Sequence, residues 1–261
     1  MLIGAMNNPT RDPVEEIERI ARAGFEFVDL TLEPSAARSD RIDIEKARRA
    51  LRKTGIGAIG HTAFFLPLAS SFDSLRECAI QEIESSFRVF HELGITNVNV
   101  HPQWKVVLHD DDWVRKGNIE ALQRLAATAK DLGQIVLFEN LPGVWTRPAF
   151  LKPVFDAVPD LRFHLDVGHA NLDGPANHTE ELLAAFGHIL EHVHFSDNFG
   201  GMGGADDLHL PLGAGSIDWP KMVGLLKRAR YDGTVTVEVF SRDPDYLYLS
   251  RDKLRKIWED R

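Results

Sequence analysis

Nine side chains that can bind metals stand at, or close behind, the ends of short apolar segments. They are His61, His101, Glu139, Asp166, His169, His194, Asp207, His209 and Glu238. A single strand-end histidine is more often a satisfied side chain than a ligand, whereas a single strand-end acid caps the next helix about as often as it has a function. Nine such groups held together without a cation, however, would be a costly cluster of buried charge. Imidazole and carboxylate ligands suit Zn²⁺, Mn²⁺ or Co²⁺ better than Ca²⁺, so the pattern predicts one to three divalent ions per chain.

Two of these acids, Glu139 and Glu238, can also move protons, and two reactions fit the set. In the first, a metal polarises a carbonyl group, one carboxylate removes the neighbouring proton and a second carboxylate returns it. In the second, clustered metals generate hydroxide and cleave a phosphodiester. The number of ligands favours the second reaction, because a single ion does not need nine partners.

The eight strands that would position these groups are short segments rich in β-branched and aromatic residues. Their predicted bounds are Leu2–Met6, Phe25–Leu32, Ile56–His61, Asn97–His101, Ile135–Asn140, Arg162–Asp166, Ile189–Phe195 and Thr234–Val239. Between them, Ser74–Leu93 and Asn118–Leu132 carry apolar residues at the spacing of amphipathic helices. The Asp12-Pro13 pair is typical of a helix start.

This alternation predicts a single α/β domain over residues 1–261, a (β/α)8 TIM barrel with roughly 33 residues in each unit. The rival, an open doubly wound sheet, lacks the G-x-G-x-x-G motif after its first strand. In a barrel the loops after the strands open at one face, so the nine groups would share one site. The glycine-rich stretch Ser196–Asp218 is predicted to be a loop that covers this site.

Composition limits the partners of the protein. Thirty Lys and Arg residues against 39 Asp and Glu give a net charge of −9, which disfavours a broad grip on nucleic acid or an anionic membrane. A local basic patch would still allow contact with nucleic acid. The one cysteine, Cys78, excludes an intramolecular disulfide and fits a reducing compartment. With neither a signal peptide pattern nor an apolar run of about 20 residues, we expect a cytoplasmic protein with a small-molecule substrate.

The chain resembles the xylose isomerase-like barrel superfamily, which includes endonuclease IV and many sugar isomerases and epimerases. The resemblance is carried by GHTAFFLPLAS at 60–70, VHPQ at 100–103, FEN at 138–140, LDVGHA at 165–170, HVHFSDN at 192–198 and DLHLPLGAGSIDW at 207–219. The epimerase branch implies one metal on Glu139, Asp166, His194 and Glu238, with His169 on substrate hydroxyls. The endonuclease branch implies three zinc ions on all nine residues.

Loop composition favours a sugar isomerase or epimerase over a phosphodiesterase acting on abasic DNA or a small phosphate ester. Few basic residues stand in the predicted loops, namely Arg38, Lys105, Arg147 and Arg242, and acids cluster at Asp110–Asp112. The Leu-Pro-Leu sequence after His209 also departs from the endonuclease pattern, in which an acid follows. We therefore expect a sugar, a sugar phosphate or a related polyol as substrate.

Further candidates surround the predicted metal site. Glu33 either hydrogen-bonds a substrate hydroxyl or caps the turn that follows it, and Trp104 and Lys105 are predicted to contact substrate. His164 and His192 each precede a predicted ligand by two residues and therefore share its face, one layer deeper. They either orient the ligands or are ordinary buried histidines.

Overall fold

A closed barrel of eight parallel strands, hydrogen-bonded in chain order, forms the computed structural model, which describes residues 1–104 and 108–260. The strands are β1 (Leu2–Met6), β2 (Phe27–Leu32), β3 (Gly57–Thr62), β4 (Asn97–Val100), β5 (Ile135–Glu139), β6 (Arg162–Asp166), β7 (Leu190–Phe195) and β8 (Thr234–Val237). The helices are α1 (Pro13–Arg22), α2 (Ile44–Thr54), α3 (Asp73–Glu92), α4 (Asp111–Asp131), α5 (Pro148–Ala157), α6 (Thr179–Phe186), α7 (Trp219–Arg228) and α8 (Asp245–Glu259). The predicted fold class, a (β/α)8 barrel, is confirmed.

The chain separates into two compact units, and its predicted organisation as one domain stays a prediction. The first unit contains Met1–Met6, Glu139–Lys152 and the chain from Phe163 onwards. Here β8 pairs with β1 and with β7, and β7 pairs with β6. Asp166 is the register partner of His194, and partners in a parallel sheet point to the same face. The pairing therefore brings these two predicted ligands side by side.

The second unit contains Asn7–Phe138 and Pro153–Arg162. Within it β3 pairs with β2 and with β4, and β4 pairs with β5. His61 on β3 has Thr31 and Asn99 as its register partners. The interior of this unit thus carries polar side chains in strands that are otherwise apolar.

Strands β1 and β6 have their predicted bounds, and the other six strands differ from the predicted bounds by one or two residues. β4 ends at Val100 and β8 at Val237, so that His101 and Glu238 directly follow their strands. The predicted second strand began at Phe25, but the amide of Phe25 donates to the Ile20 carbonyl and so completes the end of α1. Apolar content alone does not separate a strand from a helix terminus.

Helix α4 begins earlier than the predicted start at Asn118. The Asp110 side chain accepts a hydrogen bond from the amide of Trp113 at 2.6 Å, and Asp111 and Asp112 occupy the first turn. Acids are favourable there because the helix dipole is positive at its N-terminus. The acidic run that counted against a phosphate ligand therefore starts a helix.

The predicted loop Ser196–Asp218 is irregular apart from a short 3-10 turn at Gly204–Asp206. A backbone bridge joins Asp197, near the start of this segment, to Leu210.

Among the helices described, none combines the length and apolar character needed to cross a bilayer.

Candidate active site

Three carboxylates converge on one imidazole at the ends of the strands of the first unit. The Nδ1 atom of His194 lies 3.2 Å from Glu238 Oε2. It lies 3.8 Å from Glu139 Oε1 and 3.8 Å from Asp166 Oδ2. All four side chains are buried. The four ligands implied for the epimerase branch are thus in one place.

The arrangement of these atoms fits a divalent cation. Ligand atoms that are each about 2.1 Å from one ion lie roughly 3–4 Å apart, and the three separations fall in that range. The Oδ2 atom of Asp166 is buried and accepts no hydrogen bond, whereas its Oδ1 accepts one from the amide of His169 at 2.6 Å. A buried carboxylate oxygen without a donor is costly, and a cation would satisfy it.

The electrostatics of the carboxylates lead to the same conclusion. Burial, together with the negative charges of Glu139 and Glu238, raises the pKa of Asp166 to about 7, against the opposing charge of His169. Burial would also raise the pKa of Glu238, but the charges of His209 and His194 outweigh it and lower that pKa. A cation among these acids would offset their mutual repulsion.

Asn140 fixes the backbone of Asp166. Its side-chain amide donates to the Asp166 carbonyl at 2.9 Å, and its side-chain oxygen accepts from the Asp166 amide at 2.9 Å. Gly168 makes room nearby, since a Cβ there would lie 2.3 Å from Ser196 Oγ. The turn after β6 is therefore tightly specified.

A second group joins two imidazoles through one carboxylate. Asp207 Oδ2 lies 3.1 Å from His169 Nε2 and 3.2 Å from His209 Nε2. The Nδ1 atoms of these histidines lie 2.9 Å from the Asn140 carbonyl oxygen and 3.2 Å from the Glu238 carbonyl oxygen, respectively. A histidine that donates Nδ1–H to a carbonyl presents Nε2 to a metal. This group can either bind a cation or share protons.

Without a cation, the pKa values of the second group indicate that its two histidines are protonated and its carboxylate is ionised. Burial lowers the pKa of His169, but the charges of Asp166 and Asp207 hold it well above the usual range. Burial likewise opposes the rise at His209, whose pKa reaches about 9 beside Glu238 and Asp207. Burial raises the pKa of Asp207, yet hydrogen bonding to His169 and His209 holds it well below its usual range.

The remaining predicted ligands, His61 and His101, lie together in the second unit. Their ring centroids are 4.8 Å apart. The Nδ2 atom of Asn99 lies 3.2 Å from His101 Nε2 and 3.5 Å from His61 Nε2. Asp29 Oδ1 lies 3.3 Å from His61 Nδ1. The sequence analysis missed Asp29 and Asn99, although a lone acid inside the apolar segment FVDLTL of β2 was an available signal.

Two of the other predicted substrate contacts, Glu33 and Trp104, belong to the second unit. Glu33 follows β2 directly and is half-buried. Trp104 is 39% exposed, and its ring meets that of Phe64 edge-on at 6.3 Å. Lys105 lies outside the described residues. Contact of these three side chains with substrate stays a prediction.

Known proteins resemble the chain over nearly its full length. The uncharacterized protein MJ1311 of Methanocaldococcus jannaschii is 28% identical over 231 residues, which cover 85% of this chain and 77% of that protein. L-ribulose-5-phosphate 3-epimerase UlaE of Salmonella typhi is 23% identical over 248 residues, which cover 87% of this chain and 82% of the relative. The crystal structure of a D-tagatose 3-epimerase-like protein superposes with a TM-score of 0.85 at 25% identity, covering 100% of this chain and 98% of that one. A model of the family described as xylose isomerase-like TIM barrel matches residues 17–258, and the chain therefore belongs to that family.

Proposed function

We propose that this protein is a divalent-metal-dependent epimerase or isomerase of a ketose sugar or its phosphate. The observation that carries the proposal is the approach of three carboxylates to His194 Nδ1 within 3.2–3.8 Å. Such a set has no evident structural use, because burying three acids beside one imidazole is unfavourable without a cation.

Glu139, Asp166, His194 and Glu238 would hold the ion, for which Zn²⁺, Mn²⁺ and Co²⁺ are the candidates. When bound, such an ion polarises the substrate carbonyl as a Lewis acid. His169 stands beside the four ligands and would orient substrate hydroxyls. Its Nδ1 is held 2.9 Å from the Asn140 carbonyl, so that its Nε2 remains on the side of Asp207.

Glu139 and Glu238 would carry the proton between the two faces of the substrate. One carboxylate removes the proton from the carbon next to the carbonyl, and the electron pair of that C–H bond moves onto the carbonyl oxygen. The other carboxyl group then delivers a proton to the opposite face of the same carbon, and the carbonyl is restored. The net reaction inverts one centre without an oxidant or a co-substrate.

The names of two relatives support this substrate class. UlaE is named as an L-ribulose-5-phosphate 3-epimerase, and the similar solved structure is that of a D-tagatose 3-epimerase-like protein. Both sugars are ketoses whose C3 lies next to the carbonyl. We infer that inversion at that carbon is the reaction to test first.

The test uses ketopentoses, ketohexoses and their phosphates in D₂O with Mn²⁺, Co²⁺ or Zn²⁺. Wild-type protein should place deuterium on the carbon that inverts, as followed by NMR. The variants Glu139→Gln and Glu238→Gln should each lose activity by about a thousandfold, in the range typical of general acid–base groups. Glu16→Gln is the matched control, since Glu16 is also a buried acid but lies on α1 beside Arg19.

Either of two results would contradict the proposal: no exchange on any ketose with any of these ions, or near-normal turnover by one of the two strand-end variants. Equal losses in Glu16→Gln and the strand-end variants would show a general effect of neutralising a buried acid.

A second candidate function, a multi-zinc phosphoesterase, is favoured by the group of His169, Asp207 and His209. Both histidines have Nδ1 on a carbonyl and Nε2 near one carboxylate oxygen, as zinc ligands do. In the proposed epimerase the same group instead orients His169. The two functions differ in the number of ions bound.

A further inference from the structure

The two carboxylate oxygens of Glu139 face different surroundings. Oε1 lies towards the ligand group, 3.4 Å from His169 Nδ1 and 3.8 Å from His194 Nδ1. Oε2 lies 3.3 Å from the Nδ1 atom of His164. The carboxylate therefore has one oxygen towards the reacting side and one towards an imidazole below it.

His164 cannot reach a substrate. It is fully buried on β6, two residues before Asp166, and so lies on the same face of the strand but deeper in the barrel. Its ring packs against those of His192 and His194, with centroids 4.6 Å and 4.1 Å away. Any influence of His164 on the reaction must pass through Glu139 or through this packing.

We propose that His164 is a positioning residue that holds Glu139 by donating a hydrogen bond from Nδ1–H to Oε2. This contact fixes the rotamer of the carboxylate and leaves Oε1 to face metal and substrate. Groups that orient a metal-binding or proton-transferring carboxylate in this way typically change metal affinity or activity by about 10- to 100-fold when they are lost. The proposal rests on the proposed function, in which Glu139 serves both purposes.

His192 provides a natural comparison within the same barrel interior. It too is fully buried and stands two residues before a ligand, His194. Its nitrogens, however, lie 2.7 Å and 3.1 Å from the hydroxyls of Thr234 and Thr236. His164 thus contacts a carboxylate of the site, whereas His192 contacts hydroxyl groups. This difference assigns a positioning role to His164 and ordinary burial to His192.

Three substitutions at position 164 distinguish the effect of losing the hydrogen-bond donor from the effect of losing the imidazole ring. His164→Asn keeps an N–H donor at the place of Nδ1, because both nitrogens are the same number of bonds from Cα. His164→Gln moves the donor to the place of Nε2, and His164→Leu removes it. His192→Leu is the matched control for loss of a buried histidine. Folding is checked by circular dichroism and thermal unfolding.

The measurements are kcat and KM for the ketose and the Kd for Mn²⁺. For His164→Leu we expect kcat to fall and the Mn²⁺ Kd to rise by about 10- to 100-fold, with KM almost unchanged. His164→Asn should recover most of both losses, and His164→Gln should not. His192→Leu should lose stability but keep wild-type kcat and Mn²⁺ affinity. If His164→Leu does not fold, the comparison of Asn with Gln decides.

Two results would overturn the proposal. In one, His192→Leu impairs Mn²⁺ affinity as much as His164→Leu does, which would make packing the cause. In the other, Asn and Gln at position 164 behave alike, which would show that the position of the donor is irrelevant.

A metal-free measurement separates this inference from the proposed function. In protein with ¹⁵N-labelled histidine, the resonances lost in His164→Asn identify the His164 ring. Nδ1 should carry a proton, and its resonance should shift in Glu139→Gln. A proton on Nε2 alone would overturn the proposal even if the protein were an active epimerase. A proton on Nδ1 that responds to Glu139→Gln would support it even if no sugar were turned over.

Discussion

His209 lies between two acids of the site, Asp207 and Glu238, and has an unusual backbone conformation. Its φ is +46°, a left-handed conformation that costs a non-glycine residue on the order of 1 kcal/mol. Several contacts offset that cost: its carbonyl accepts from the amide of Phe240 at 3.1 Å, and its ring stacks on the Phe240 ring at 4.3 Å. The side chain is thereby fixed between Asp207 and Glu238.

The raised pKa of His209 makes the stability of the metal-free protein depend on pH. The pKa is about 9 in the folded protein and about 6.5 in an unfolded chain. Protonation therefore favours the folded state, fully so below pH 6.5, and the contribution disappears as pH rises through 9. We expect the free energy of unfolding with chelator present to fall by on the order of 3 kcal/mol from pH 6 to pH 10.

Urea unfolding across this pH range tests the assignment. His209→Gln should reduce the pH dependence, and the remainder should come from His169, whose pKa is also held above its usual range. His188→Gln, at an exposed position, should keep the full pH dependence. An unchanged slope in His209→Gln would mean that another group titrates there.

At the residue scale, residue types and strand-end positions predicted that acids and histidines would lie close together, because the ends of parallel strands meet at one face of a barrel. They did not predict Asp29, whose strand is buried along its whole length. In such a strand no alternation of polar and apolar residues marks the interior face. The contact between His164 and Glu139 could not be predicted from the sequence either, because it depends on the side-chain rotamer of Glu139.

At the element scale, Asp197 shapes the long segment that carries Asp207 and His209. Its Oδ2 accepts from the amide of Gly213 at 2.6 Å and from Trp219 Nε1 at 2.9 Å. Its Oδ1 accepts from the amide of Ile217 at 3.2 Å. A fully buried carboxylate thus binds two positions along the loop and the first residue of α7.

The substitution Asp197→Asn should loosen this loop. An amide cannot accept from donors on both sides, because its nitrogen would face donors itself. We expect a loss of unfolding free energy of about 2–3 kcal/mol and a lower kcat, because His209 is no longer fixed. Urea unfolding and the ketose assay measure the two effects.

Asp218→Asn is the control within the same loop. Asp218 is exposed and caps α7 through the amide of Lys221, where Asn and Asp are nearly equivalent. If both variants lost equal stability, the buried carboxylate would have no special role.

In the sequence, only the glycines indicated that this segment is a loop. Gly215 shows why one is needed, since a Cβ there would lie 2.2 Å from the Asn198 carbonyl oxygen.

At the scale of the whole molecule, regular alternation of strands and helices was sufficient to predict the barrel. Eight units close a parallel sheet without leaving an edge, and helices cover its outer face. The same regularity could not predict the number of metal ions. That number depends on distances of a few tenths of an ångström among side chains, which spacing in the sequence does not determine.

The number of ions bound distinguishes the two candidate functions, and we expect about one per chain. The group around His194 brings three carboxylates to a single imidazole nitrogen, and a divalent ion is held more strongly as ligand charge increases. Protein purified without added metal is analysed by mass spectrometry of the metals and by thermal unfolding with and without chelator. At a free-ion concentration 100 times Kd, binding adds about 2.7 kcal/mol to the free energy of unfolding.

Two variants make this measurement decisive. Asp166→Asn should abolish the stabilisation by metal, because it removes a charged ligand from the group around His194. His101→Ala should leave both ion content and turnover of the ketose largely intact, because His101 is not one of the four residues that would hold a single ion. Three zinc ions per chain, reduced by His101→Ala together with activity on a phosphodiester, would instead establish the second candidate. In that case Asp207 and His209 would be ligands, and their proton sharing would be a property of the metal-free protein alone.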